Sequence, residues 1–302
     1  MNLERFMEKR GFSRSSQNRS RPLNFMLPFG GGMENLMSLP VGIQLFSVRD
    51  QIEKDAEGTI RELAKMGYQG IEPCNGSCGM DPKDLRALCD ELGLRIISAH
   101  LGTYELNEET EKTLELYKTL GVEYLAIAGF WGDCVYGGKD YPAMMEKLER
   151  SCRYFRDNGI QILYHNHDWE FKKDDGKYHL DIILNTFEDD LLLPEVDTCW
   201  ASVGHGNAVD YLKRYNGRCP VVHLKDFYCR GDYSGGYNDG VRPEDFALRP
   251  VGYGRLDVID VLHTAEEIGS KWVIVEEDSP AFGLDALECA ALCRDWLKKQ
   301  GW

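Results

Sequence analysis

The sequence predicts an α/β fold in one domain, a (β/α)8 TIM barrel over residues 39–302, and two patterns point to it. From Val41 onward a unit recurs in which a helical stretch ends in glycine and a short apolar run follows within a few residues. Several of these runs end in metal-ligating side chains: Asp197 after Leu-Pro-Glu-Val, His223 after Val-Val, Glu276 after Val-Ile-Val and His165 after Ile-Leu-Tyr. Strands that carry such residues at their carboxyl ends are how a parallel barrel builds an active site.

Taken in order, the first run is Val41–Phe46. Lys65-Met66-Gly67 then precedes Gln69–Glu72, Glu91-Leu92-Gly93 precedes Leu94–Ala99, and Leu120-Gly121 precedes Glu123–Ala128. Asn158-Gly159 precedes Ile160–Tyr164, and the sixth run is Leu191–Val196. Asn216-Gly217 precedes Pro220–Leu224, and Ile268-Gly269 precedes Trp272–Val275. Glycine just past a helix end supplies the left-handed C′ residue, so each junction reads as a short helix-to-strand loop. Helices are expected near 56–66, 82–92, 107–120, 141–158, 179–188, 206–216, 257–268 and 283–299. Their amphipathicity shows in Ile60, Leu63, Ala64 and Gly67, and in Met144, Leu148, Cys152 and Phe155. Eight alternations in about 260 residues fit a barrel. A doubly wound sheet would more often carry a glycine-rich phosphate turn after its first strand; here that turn is Ser47-Val48-Arg49-Asp50.

Residues 1–38 stand apart. Arg5, Lys9, Arg10, Arg14, Arg19 and Arg21 stand against only Glu4 and Glu8 before Gly30-Gly31-Gly32, with Glu34 beyond it. Without hydrophobic periodicity this reads as a disordered extension, or as sequence ahead of a natural start at Met33 or Met37; its Arg and Ser content also suits a transit peptide. At the other end of the barrel, the stretch from Asp226 to Arg255 is rich in Gly, Tyr, Asp and Arg with little periodicity. A loop of that length after the His223 run reads as a lid over the site.

Bulk properties exclude several classes. The net charge of −15 disfavours nucleic-acid and anionic-membrane partners. No apolar stretch approaches the ~20 residues of a membrane span. Ten cysteines are scattered, some inside expected helices (Cys89, Cys152, Cys293), which fits reduced thiols in a cytoplasmic protein. Cys74 and Cys78 flank Asn-Gly-Ser, but no second pair supports a zinc site.

Lined up by strand, the carboxyl ends offer Ser47, Glu72, His100, Gly129, His165 with His167, Asp197, His223 with Lys225, and Glu276. Taken singly, each reads best as a hydrogen-bonded strand terminus or helix cap. Four coinciding in one register favour a divalent metal (Mn2+, Mg2+, Co2+ or Zn2+), since mixed oxygen and nitrogen ligation suits all of them.

With these residues in view, the chain resembles the xylose isomerase-like barrels, a group holding sugar-phosphate isomerases and epimerases, ketose 3-epimerases, inosose dehydratases and endonuclease IV. The resemblance covers Val41 to Trp302. It rests on Gly42-Ile43-Gln44-Leu45-Phe46-Ser47-Val48-Arg49, Ser98-Ala99-His100-Leu101-Gly102, Tyr164-His165-Asn166-His167-Asp168-Trp169-Glu170-Phe171, Val196-Asp197-Thr198, His223-Leu224-Lys225-Asp226 and Val275-Glu276-Glu277-Asp278. In the epimerases it implies a metal held by Glu, Asp, His and Glu. Asp197, His223 and Glu276 match the last three, while His165 stands where the first glutamate would be. Trp200 replaces a histidine that polarises substrate in those enzymes. The His-x-His run and His-Leu-Lys-Asp look more like the inosose dehydratase branch.

The expected activity is therefore a metal-dependent isomerase or epimerase of a small sugar, sugar phosphate or polyol, working through an enediolate with Glu276 as base. The alternative is a keto-sugar or keto-inositol dehydratase, in which His165, His167 or Lys225 acts as acid toward a leaving hydroxyl. Glu72, His100, His167, Glu170 and Trp200 are expected to contact substrate, Trp200 by stacking a sugar ring or aromatic aglycone. Arg230, Arg242, Arg249 and Arg255 are candidates for holding phosphate or carboxylate. His179, His205 and His263 read as structural, and Glu195, two residues before Asp197 on its strand, receives no role. A DNA-repair enzyme like endonuclease IV and a non-catalytic sugar-binding subunit are the remaining readings. Barrels of this group often self-associate, which leaves a homo-oligomer open.

Overall fold

A computed structural model describes residues 38–74, 76–106, 110–231 and 245–302. The chain divides into two units, Met1–Ser38 and Leu39–Trp302. Apart from Ser38, the expected extension lies outside the described residues, as does Arg242.

In chain order the second unit opens with β1 (Val41–Gln44), α1 (Arg49–Lys54), α2 (Ala56–Met66), β2 (Gly70–Glu72), α3 (Pro82–Leu92), β3 (Arg95–Ile96) and β4 (Ser98–Leu101). Then come α4 (Thr110–Leu120), β5 (Tyr124–Ile127), α5 (Tyr141–Asp157), β6 (Gln161–His165), the paired β7 (Lys173–Asp174) and β8 (Lys177–Tyr178), and α6 (His179–Leu184). The last part holds β9 (Leu193–Asp197), α7 (Thr198–His205), α8 (Ala208–Lys213), β10 (Val221–Leu224), β11 (Asp226–Tyr228), β12 (Ala247–Arg249), α9 (Val258–Glu267), β13 (Trp272–Val275) and α10 (Ala286–Gln300).

The main sheet runs β3-β2-β1-β13-β10-β9-β6-β5-β4, with parallel pairing throughout. Its nine pieces form the eight positions of a TIM barrel, because β3 and β4 are two parts of one strand: β3 pairs with β2 and β4 with β5. The break lies at Ile97. Its side chain joins the barrel floor while the next residue, Ser98, donates to Glu72. Consecutive side chains facing one way are a bulge. Gly42 and Gly70 admit Ile97, since a Cβ at either would stand 2.5 or 2.6 Å from its Cδ1.

Local chemistry sets the junctions. Asp55 and Asp81 cap α2 and α3 by accepting from Gly58 and Lys83, and Gly67 and Gly93 close those helices at φ 89° and 69°. A capping box of Asp285 and Glu288 opens α10. The helices pack on the sheet's outer face through residues such as Leu63, Leu85, Leu148 and Leu262.

Two expectations change. The sixth strand is followed at once by a helix the sequence did not suggest, α7, capped by Asp197 itself. The Asp226–Arg255 stretch is not wholly irregular: β11 and β12 pair antiparallel, Asp226 opposite Arg249. The Asp226 carboxylate accepts from four backbone N–H groups, those of Phe227, Gly252, Gly254 and Leu256, at 2.8–3.1 Å. The middle of this stretch, 232–244, lies outside the described residues. No two of the ten cysteines form a disulfide. Among the described residues no helix is long and apolar enough to cross a membrane.

Candidate metal centre

Period-two alternation carries polarity up the inside of the barrel. The floor is apolar, built from Ile97, Ala126, Leu163, Val221 and Ile274. Two residues further along their strands stand His165, His223 and Glu276. Parallel register aligns them across strands, with His223 opposite Asp197 and His165 opposite Glu195. Side by side, these strand ends bring seven of the expected residues into one buried cluster: Glu72, His100, His165, Asp197, His223, Lys225 and Glu276.

The cluster has two levels. At the lower one, Glu72 and Glu195 are wholly buried. Glu72 accepts from Gln44 Nε2 at 2.5 Å and from Ser98 Oγ, and its Oε1 lies 3.0 Å from His100 Nε2 and 2.9 Å from His223 Nε2. Glu195 Oε2 lies 2.8 Å from His100 Nε2, 3.3 Å from His165 Nδ1 and 3.4 Å from His223 Nε2. At the upper level the other ring nitrogens face the rim. His223 Nδ1 is 2.8 Å from Glu276 Oε2, and His165 Nε2 is 3.9 Å from that oxygen and 4.0 Å from Asp197 Oδ2. Lys225 Nζ stands 3.1 Å from each of Asp197 Oδ2, Glu276 Oε2 and Asp278 Oδ1.

Charges in this dry space set one another. Burial disfavours the ionised carboxyl of Glu72, yet His100 and His223 hold it well below the ordinary carboxylate range. Burial likewise opposes the His100 cation, but Glu72 and Glu195 lift it to about 10. His223 is raised well above its ordinary value in the same way, against burial, by Glu195 and Glu72. His165 goes the other way: burial, then the cations of His223 and His100, push it well below 6.5, so it is uncharged. Against burial, Lys225 and His223 hold Glu276 far below an ordinary carboxylate. Burial raises Asp197 to about 7 although Lys225 pulls it down. Burial disfavours the Lys225 cation, but Asp197, Glu276 and Asp278 keep it protonated.

The upper donors fit a divalent ion. Ligands ~2.1 Å from one ion lie about 3–4 Å apart; His223 Nδ1 is 2.8 Å from Glu276 Oε2, His165 Nε2 is 3.9 Å from that oxygen and 4.0 Å from Asp197 Oδ2, and the four residues offer ligand atoms that all lie within 4.8 Å of one another. Asp197 Oδ2 is buried and accepts no well-directed hydrogen bond despite its nearness to Lys225. The Asp197 backbone is fixed by Asn166, whose Oδ1 accepts its N–H at 3.1 Å. A second group, His100, His165, Glu195 and His223, is equally compact. There, however, each imidazole meets a carboxylate through the nitrogen that faces the floor.

Glu170 lies outside the cluster. It is buried rather than set in a solvated loop, and both oxygens are engaged: Oε1 accepts from Tyr164 Oη at 3.0 Å, Oε2 from the His167 N–H at 2.8 Å. His167 and Trp200 stand at the cluster's edge: the His167 ring centroid is 5.2 Å from that of His165, and the Trp200 centroid is 6.3 Å from that of His167. Among the described residues, three of the four loop arginines are engaged elsewhere. Arg255 binds the Cys229 and Gly231 carbonyls, Arg249 packs over Phe282, and Arg230 pairs with Asp245. Sequence reasoning missed Gln44, Glu195 and Asp278 as members. Glu195 and Asp278 each stand two residues from a recognised strand end, Asp197 and Glu276, which was the available signal; Gln44 ends β1 itself.

Comparison with known proteins supports the barrel fold. Residues 60–300 match the family model described as xylose isomerase-like TIM barrel. The chain is similar to an inosose dehydratase of Clostridium beijerinckii, 25% identical over 281 residues, covering 82% of this chain and 90% of that protein. Among solved structures it is similar to a sugar phosphate isomerase/epimerase from Parabacteroides distasonis, with TM-score 0.70, 22% identity, and coverage of 89% of this chain and 96% of that one. The IolI protein, solved with a bound zinc atom, superposes with TM-score 0.64 at 17% identity, over 86% of this chain and 97% of its own. The chain belongs to the xylose isomerase-like TIM-barrel family.

Proposed function

We propose that this chain is a divalent-metal-dependent lyase that removes water from a cyclic ketone bearing hydroxyls, a keto-sugar or an inosose. The observation that carries the reading is the one-sidedness of the site. Glu276 is held ionised beside the Lys225 cation at 3.1 Å, while the place of a second glutamate is taken by the uncharged His165. One carboxylate base and one cation suit an elimination. Proton transfer on both faces of an enediolate, as a two-glutamate epimerase performs it, lacks its second carboxylate. The inosose dehydratases to which the chain is similar support the same choice.

In this reading His165, Asp197, His223 and Glu276 would hold the metal. A divalent ion there would polarise the ketone oxygen as a Lewis acid. Glu276 takes the proton from the carbon beside the ketone, and the C–H electron pair becomes the new C=C bond. The C–O bond one carbon further breaks, and Lys225 supplies the proton with which the hydroxyl leaves as water. His165, kept neutral, serves as ligand rather than as acid. Glu72 and Glu195 act from below: their charges, 2.9 Å from His223 Nε2 and 3.3 Å from His165 Nδ1, favour a proton on those nitrogens and leave the rim-facing ones to the metal. His100 balances their charge. Trp200 closes one side, its ring 5.1 Å from Lys225 Nζ.

The test is a screen of inososes, keto-sugars and ketoses with Mn2+-loaded protein in deuterated buffer, read by mass spectrometry. Elimination gives a product lighter by one water, abolished in Glu276→Gln. An isomerase or epimerase would yield deuterium gain without loss of water, and a vestigial sugar-binding site would give neither.

A further inference from the structure

Among the described residues the exposed large hydrophobics are Phe46, Tyr104, Trp131 and Tyr228, and each follows the carboxyl end of a barrel strand. Trp131 is 60% exposed, yet its ring is fixed. Its Nε1 donates to the Ala128 carbonyl at 3.3 Å, and its face meets Trp169 at a centroid distance of 4.4 Å. Trp169 stacks on His167 at 4.2 Å, nearly parallel, and His167 stands 5.2 Å from His165. A continuous run of rings thus leads from solvent to the candidate metal centre.

The run is held by buried polar groups. Glu170 ties its two loops together: it accepts from the His167 N–H and from Tyr164 Oη, and Tyr164 Oη in turn accepts from the Phe130 N–H at 3.1 Å. Gly129, at φ 83°, lets the strand end pass close to this brace, since a Cβ there would lie 3.1 Å from both His167 Nδ1 and Glu170 Oε1. The buried Trp169 Nε1 has no acceptor among the described residues. The exposed ring of Trp131 at the outer end of the run is a flat apolar surface of the kind a ring packs against.

We propose that this run is a second subsite, which takes a flat-faced ring joined to the reacting ring, so that the preferred substrate within the class proposed above is a keto-sugar carrying a second ring. The proposal rests on the strand-end pocket being the reacting site. Its occupant follows from continuity: a molecule with one ring at His165 has Trp169 and Trp131 as the next surfaces outward.

The test compares binding of methyl β-D-glucoside, phenyl β-D-glucoside and cellobiose to the full chain by calorimetry, with Mn2+ and after chelation. The expected result is at least tenfold tighter binding of one two-ring probe over the methyl glucoside, about 1.4 kcal/mol. Phenyl or cellobiose preference tells an aryl ring from a second sugar. Trp131→Ala should remove the preference while leaving methyl glucoside binding unchanged, and Trp131→Phe should keep most of it. Equal affinities, no binding by any probe, or a preference surviving in Trp131→Ala would overturn the proposal. So would a drop in sedimenting mass in that variant, which would assign the ring to contact with a second copy. A preference kept after chelation belongs to the subsite alone, whereas failure of the metal reading would appear as wild-type protein that takes up no Mn2+.

Discussion

Glu195→Gln is the substitution that separates a shaped metal centre from four ligands that happen to meet. Glu195 Oε2 is shared by three imidazole nitrogens at 2.8, 3.3 and 3.4 Å, with no exposure to water. The amide keeps the volume but removes the charge, and presents an N–H donor to at least one of those contacts. His165 then loses the negative charge 3.3 Å from its Nδ1, which favours the proton on that nitrogen and leaves Nε2 as the one free to bind a metal. Loss of such an outer partner typically costs 10–100-fold in metal affinity, which is about 1.4–2.7 kcal/mol. The assay is competition for Mn2+ or Zn2+ against a chelating dye, with circular dichroism on the same samples to confirm the fold. Affinity within twofold of wild type, in a folded variant, would refute the idea that the floor carboxylates set the rings.

Three other outcomes follow from particular contacts. Lys225→Gln removes the proposed proton donor to the leaving hydroxyl, so solvent deuterium should still enter substrate while loss of water falls at least a hundredfold, a split visible in one mass spectrum. Asp226→Asn replaces one of two oxygens that each accept two backbone N–H groups; leaving buried donors unmatched should destabilise the protein by about 2–4 kcal/mol in urea unfolding. Glu170 is raised by burial from 4.5 to about 7, so the folded state binds more protons than the unfolded state between those values. Its contribution to stability is therefore greatest below pH 4.5 and declines by at most about 3 kcal/mol as pH rises through 7, and Glu170→Gln should flatten that part of the stability–pH curve.

The sequence exposes the barrel because its junctions are local chemistry. Gly67, Gly93, Gly121, Gly159, Gly217 and Gly269 all take positive φ where a helix gives way to a strand. The place of the four proposed ligands was readable for a related reason: register fixes residues at the end of a parallel strand, and His165 and Asp197 end their strands, His223 is the last residue but one of its strand, and Glu276 immediately follows its own. Helix α7 escaped notice because six of its eight residues are buried, which leaves no polar face to create a helical period. The third strand was expected as one run, Leu94–Ala99, because the bulge at Ile97 depends on Gly42 and Gly70, which are distant in sequence. Glu195 was visible at period two from Asp197. Its role was not, because it depends on three histidines from other strands that only the closed barrel brings to one oxygen.

The central claim is that an ion sits at the upper level, with the lower carboxylates as supports. Anomalous scattering from crystals grown with Mn2+ tests it most directly. The expected peak is bounded by His165 Nε2, Asp197 Oδ2, His223 Nδ1 and Glu276 Oε2. A peak centred instead among His100, His165, Glu195 and His223, or no peak at all, would contradict the account.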